Sequence, residues 1–166
     1  MSTTASSADR FASAVVKSWT ASLGTLDKQF AALSDAELQQ EITPGKNRVF
    51  YLLGHLAAVH DRMLPLLRLG ERIHPELDKP FLTDADRSAP DTISAADLRA
   101  AYAAVNAKLT AAIIALPADE WLTRHDAVSE EDFAKEPHRN RLSVLLSRTT
   151  HAAFHSGQVA PLVKKK

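Results

Sequence analysis

Two histidines four residues apart, His151 and His155, are the side chains of this 166-residue sequence best placed to do chemistry. On an α-helix that spacing puts both imidazoles on one side about one turn apart, with Cβ atoms roughly 5–6 Å from each other. Neighbours like that can share a metal ion. Two ligands seldom complete a site, so a third has to come from another part of the fold, and His55 in a separate helical stretch is the best candidate. A buried neutral imidazole needs a donor at one ring nitrogen and an acceptor at the other, so three of them in one core are costly unless something binds them. A divalent cation does this well. Three imidazoles with an open position match a catalytic rather than a closed structural zinc site, while imidazole also suits nickel, iron and copper. The motif itself reads HAAFH, with Ala152 where the zinc proteases' H-E-x-x-H has its glutamate. The built-in general base is missing, and peptide hydrolysis of that kind is not expected.

Several residues near these three have two readings. Gln158, one turn beyond His155, can orient a metal-bound molecule or support a ligand from behind. It can equally be a packing amide bonded to a neighbouring backbone. Arg148, one turn before His151, can pair with a substrate carboxylate or be a solvated surface arginine. His60 lies about 140° round its helix from His55, which favours boundary packing over a share in the same metal. His74, His125 and His138 fall in loops and read as solvent-facing. Gly157 either allows close helix contact or is merely a tolerated small residue, and Phe11, Trp19, Tyr51, Tyr102 and Phe154 read as core or interface.

Four amphipathic stretches must position these groups. The first covers residues 8–33, capped by Ser7, with Phe11, Val15, Trp19, Leu23, Leu26, Phe30 and Leu33 forming one apolar stripe. Ser34-Asp35-Ala36-Glu37 is a capping box for a short turn closed by Pro44-Gly45. The second covers 46–69 through Leu52, Leu56, Val59, Met63, Leu66 and Leu67, with His55 on the stripe's edge and Pro65 kinking or ending the last turn. From 70 to 93 the pattern dissolves around Pro75, Pro80 and Pro90. A connection that long is usually functional or a crossover, and a crossover lets the helices it joins run in the same direction. The third helix opens at Ser94, runs through Leu98, Tyr102, Val105, Leu109, Ile113 and Leu116, and stops at Pro117. Trp121 sits in a short turn, 126–136 reads as an acidic loop, and Asn140 caps a fourth helix that begins at Arg141. With no strand signal, the fold class is all-α: an antiparallel-type four-helix bundle in one domain over 1–166, with a long crossover between the second and third helices.

Bulk properties narrow the function. The 20 basic residues balance 20 acidic ones, so no overall field draws the chain to nucleic acid or an anionic membrane. Lys164-Lys165-Lys166 favours a helix C-terminus but is too short, without interleaved aromatics, for a nucleic-acid patch. There is no cysteine, so any sulfur chemistry has to use a thiol from outside. The opening MSTTASSADRF lacks the apolar core of a signal peptide, and no apolar run approaches the roughly 18 residues of a membrane span. A soluble cytoplasmic protein is expected.

LLGHLAAVHDRML on the second helix and HAAFHSGQV on the fourth together resemble the DinB/YfiT-like superfamily, and the likeness extends over nearly the whole chain. The carrying features are a histidine after a Leu-Gly pair, the long middle connection, and H-x-x-x-H-x-G-Q near the C-terminus. The resemblance implies that His55, His151 and His155 bind a divalent metal, zinc or nickel. It further implies thiol-dependent S-transferase chemistry on a small electrophile, with a low-molecular-weight thiol as co-substrate. Metal-dependent hydrolysis and a non-catalytic, metal-binding stress-response module of the same fold are the alternatives. A homodimer is expected from the resemblance and from the length of the apolar stripes. Many relatives carry a charged residue between the two C-terminal histidines or a basic one just after the second. Here those positions are Ala152, Ala153, Phe154 and Ser156, which leaves any catalytic acid or base unassigned.

Overall fold

The computed structural model describes residues 6–163, and the terminal Lys164-Lys165-Lys166 lies outside them. Four long helices dominate: α1 (Ser7–Ala32), α3 (Val49–Leu66), α4 (Ala95–Ala115) and α6 (Arg141–Val159), with short α2 (Asp35–Leu38) and α5 (Glu130–Lys135) between them. No strand occurs among the described residues, only the isolated bridges Glu41–Arg48 and Arg124–Asn140.

All the α-helices but α3, whose N-cap Arg48 makes no side-chain capping bond, start where a side chain takes an orphan backbone N–H. Ser6, one residue earlier than expected, caps α1 through a box with Asp9, and Ser34 does the same for α2 with Glu37. Ser94 caps α4 by accepting from Asp97, and Asn140 caps α6 by accepting from Ser143. The stretch read as an acidic loop contains α5, because Ser129 accepts from the Asp132 N–H and the acids at 130–132 favour the helix N-terminus. The second long helix is shorter at both ends than expected. At its start, a tight turn holding Gly45 at φ +76° delays the helix to Val49. At its end, Arg68 adopts a left-handed φ of +55° while Leu69 N–H bonds Leu64 O and Arg68 N–H bonds Pro65 O. That is a Schellman closure with arginine in the place glycine usually takes. Helix α6 stops at Val159 and continues as a 3-10 turn over Ala160–Leu162, since Pro161 brings no N–H to an α-helical bond.

Packing follows the stripes. Trp19, Leu23, Leu26 and Phe30 of α1, Leu53 and Leu56 of α3, Leu98 and Leu109 of α4, and Leu145 of α6 share one buried apolar cluster. Burying each such leucine stabilises the fold by about 1.5–3 kcal/mol. Phe11, the first member of the α1 stripe, departs from this and is 71% exposed. There α1 has passed the main core and borders a shallow hollow with Trp121, Leu122 and Leu142. Contacts set the helix directions. Gln29 bonds Ser156 while Phe11 shares that hollow with Leu142, so α1 and α6 run the same way. His60 bonds Asn106 while Lys108 reaches Glu71 O, so α3 and α4 also run together.

The connection from 70 to 93 is ordered rather than loose. It holds a 3-10 turn (Pro75–Leu77) and a π-turn (Lys79–Thr83), whose Leu77 and Phe81 are buried. Two ionic clamps fix it to α3. The fully buried Asp61 accepts from Arg72 Nε and from the N–H groups of Ile73 and His74. Arg48 pairs with Asp86 at 2.6 Å and Asp91 at 2.8 Å. No described helix is long and apolar enough to cross a membrane.

Candidate metal centre

His55 projects from α3, and His151 and His155 from α6, into one point of the interior. The Nε2 of His151 lies 3.2 Å from that of His55 and 3.0 Å from that of His155. The ligand atoms of all three lie within 4.8 Å of one another. Helix α3 runs opposite to α6: His55 meets His151 and His155, whereas Val59 and Met63, later on α3, border a hollow with the earlier Arg148.

The outer nitrogens fix the tautomers. His55 Nδ1 donates to Phe81 O at 3.2 Å, and His155 Nδ1 donates to Gln158 Oε1 at 2.7 Å. A carbonyl oxygen only accepts, so both rings carry the proton on Nδ1 and present the Nε2 lone pair inward. Two lone pairs therefore face His151 Nε2, whose single proton can satisfy one of them. If His151 holds it there, its own Nδ1, buried without a partner, is left as an unsatisfied acceptor. Protons alone cannot balance this arrangement, whereas one cation accepting three lone pairs does. Acceptors behind metal-ligating imidazoles are the usual means of orienting them, and three neutral imidazoles suit zinc, nickel, iron or copper alike. The residues present thus fit a metal-binding protein.

Electrostatics keep the rings neutral. Burial, then the neighbouring His155, His55 and Arg148, pushes His151 down to about 3. Burial also lowers His55 and His155, against the opposing effect of the hydrogen bonds they donate to Phe81 O and Gln158 Oε1. No carboxylate belongs to the group.

The remaining residues sort by contact. Gln158 bonds the His155 ring rather than a neighbouring backbone. Arg148 is partly buried, with its Nε shielded from solvent and unpartnered. His60 is deeper than a boundary position: it is wholly buried, bonded to Asn106 at 2.7 Å and set edge-on to Trp19 at 5.0 Å. It does not join the three-histidine group. His138 is exposed as expected, but His74 bonds Glu76 and His125 has a buried, unpartnered Nδ1. A side chain at Gly157 would meet open space, so no close helix contact depends on it. Tyr51 and Trp19 pack inside or against the core, whereas Phe154 is 62% exposed with its ring edge-on to His155. Phe81 is the one site residue that sequence reasoning passed over. Its contribution is a backbone carbonyl, to which residue type gives no clue. Tyr51, stacked on His55 and bonded to Asp84 O, braces the same segment.

The sequence profile of the DinB superfamily matches residues 18–159, which is most of the chain, and the chain belongs to that superfamily. No curated protein matches it.

Proposed function

We propose that this DinB superfamily chain is a divalent-metal enzyme that joins a small thiol to an electrophilic substrate, with His55, His151 and His155 holding zinc or nickel. The observation that carries the reading is the convergence of three Nε2 atoms, two of them oriented from behind by Phe81 O and Gln158. When bound, such an ion supplies an open position at which a thiol ionises.

The chain's own residues supply the orientation and the selectivity of that position. Phe81 O and Gln158 hold two imidazoles in the ligating tautomer before any ligand arrives, so little reorganisation accompanies binding. The absence of cysteine leaves no internal thiolate to occupy the open position. Hydrolysis is the second reading. It is disfavoured because the three-histidine group includes no carboxylate and Ala152 stands where a general base would be. We place the enzyme in the cytoplasm as a homodimer. Light scattering at micromolar concentration checks the assembly, and a monomeric mass overturns it.

The test begins with elemental analysis of protein purified without a histidine tag. The metal-loaded protein is then incubated with candidate thiols and an electrophile such as a haloaromatic, beside a His151→Ala variant. Loss of turnover in the variant supports the reading. Equal turnover removes it.

A further inference from the structure

Arg148 is the unexplained charge of this centre. It lies one turn before His151 on α6 and is partly buried. Its Nε has neither solvent nor a hydrogen-bond partner. Among the described residues it forms no ion pair, whereas Arg62, which borders the same hollow, is held by Asp78 at 2.7 Å. The hollow beside Arg148 has a volume of about 270 Å³ and is otherwise walled by Val59, Met63, Leu66 and Leu82.

Arg148 precedes His151 by one turn on α6, and no carboxylate belongs to the three-histidine group. A guanidinium partly withdrawn from water without a counter-charge is costly, and a dication at the adjacent imidazoles would add to the imbalance. An anion relieves both. The planar fork of arginine matches a carboxylate in two parallel hydrogen bonds.

We propose that Arg148 is the specificity-determining residue of the centre and that the thiol it accepts carries a carboxylate, seated on the guanidinium in the hollow that Arg148 borders. This deepens the thiol-transfer reading and rests on it. Arg148 and His151 stand three apart on α6, with Cβ atoms roughly 5–6 Å from each other. A short mercapto acid, β or γ, is the class of thiol assigned to the site. The apolar walls accept the carbon chain between the two groups.

The probes are 3-mercaptopropionate and 3-mercapto-1-propanol, matched in length and differing in charge. Each is titrated into cobalt-loaded protein at fixed ionic strength, and the thiolate-to-cobalt absorption gives the dissociation constant. The acid is expected to bind about tenfold or more tightly than the alcohol, the scale of one charge-assisted hydrogen bond. In Arg148→Met the acid should weaken to the level of the alcohol, with the alcohol unchanged. Arg148→Lys should keep part of the preference, as a point charge without the fork. Equal binding of the two probes to the unmodified protein, or a preference that survives Arg148→Met, overturns the proposal. If neither thiol alters the spectrum, the transferase reading fails, and propionate binding measured by calorimetry on the same protein then decides the role of Arg148. Heat that disappears in Arg148→Met keeps the anion site, and no heat removes it.

Discussion

Gly54 and Phe81 approach so closely that even a methyl group at position 54 would overlap the Phe81 ring. The contact matters because of what stands on either side of it. His55 is the next residue on α3, and its Nδ1 donates to the carbonyl of Phe81 itself. The missing side chain at 54 lets the π-turn settle on the helix, and the settled turn fixes the His55 ring. The Leu-Gly pair before the histidine is thus a steric condition for the placement of that ring and not an incidental feature.

Gly54→Ala should therefore act on both stability and the metal site. Forcing one carbon into a packed contact costs about 1–3 kcal/mol, with the π-turn displaced outward. Chemical denaturation should register the lost stability, and competition with a chelator should register weaker metal binding. Adding Phe81→Leu makes room, and the double variant should recover part of both. A single variant that unfolds and binds metal as the parent does would show that the contact is not limiting.

Much of this arrangement was legible in the sequence. The periodicity of Trp19, Leu23, Leu26 and Phe30 marked the buried face of α1, and the i,i+4 spacing of His151 and His155 marked one side of α6. Such patterns are visible because helical geometry maps spacing onto direction. Phe11 misled because periodicity tells which side of a helix is apolar but not how far its neighbours extend. Phe81 was invisible for a different reason: its carbonyl reaches His55 through the path of the connection, and a backbone group carries no residue-type signal. The unpaired state of Arg148 likewise depends on where acids elsewhere in the chain end up, which spacing along one helix cannot reveal.

Gln158 offers a cleaner test of orientation, because it touches the His155 ring without belonging to the three-histidine group. Replacing it with leucine removes the acceptor and frees the His155 tautomer. Losses of this kind typically lower metal affinity about 10–100-fold. Gln158→Glu keeps an acceptor and should retain most of the affinity. Chelator competition measures each, with thermal unfolding of the metal-free proteins as the control. Equal affinity in the leucine variant would assign Gln158 to helix packing alone.

Stability of the metal-free protein should depend on pH with a definite sign. Burial pushes His60 down to about 4, below its ordinary value of 6.5. The unfolded chain binds the proton more readily than the fold does, so stability rises with pH through this interval. The contribution of His60 is complete above about pH 6.5 and is lost as pH falls towards 4, amounting to about 3 kcal/mol at most. The lowered His151 acts in the same direction and extends the loss towards its own value of about 3. Urea unfolding at half-unit steps from pH 4 to 8 checks this, and a flat profile between 4 and 6.5 would contradict it.

The last prediction concerns the clamp that holds the long connection. Asp61 is fully buried on α3 and takes hydrogen bonds from Arg72 Nε and from the backbone N–H groups of Ile73 and His74. Asp61→Ala removes the acceptor for all three and leaves two backbone donors without partners beside a buried wall. Arg72 retains Asp78, with bonds of 2.7 and 2.6 Å, so the charge itself is not stranded. The cost should fall near the lower end of the range for breaking a buried pair, about 3 kcal/mol. Because the same connection carries Phe81 to His55, the loss should also appear at the metal centre, about two turns away along α3. Limited proteolysis should open the 70–78 segment in the variant, and chelator competition should show weaker metal binding. Faster cleavage with unchanged metal affinity would mean that the π-turn is held by Gly54 and the Arg48 clamp without help from Asp61.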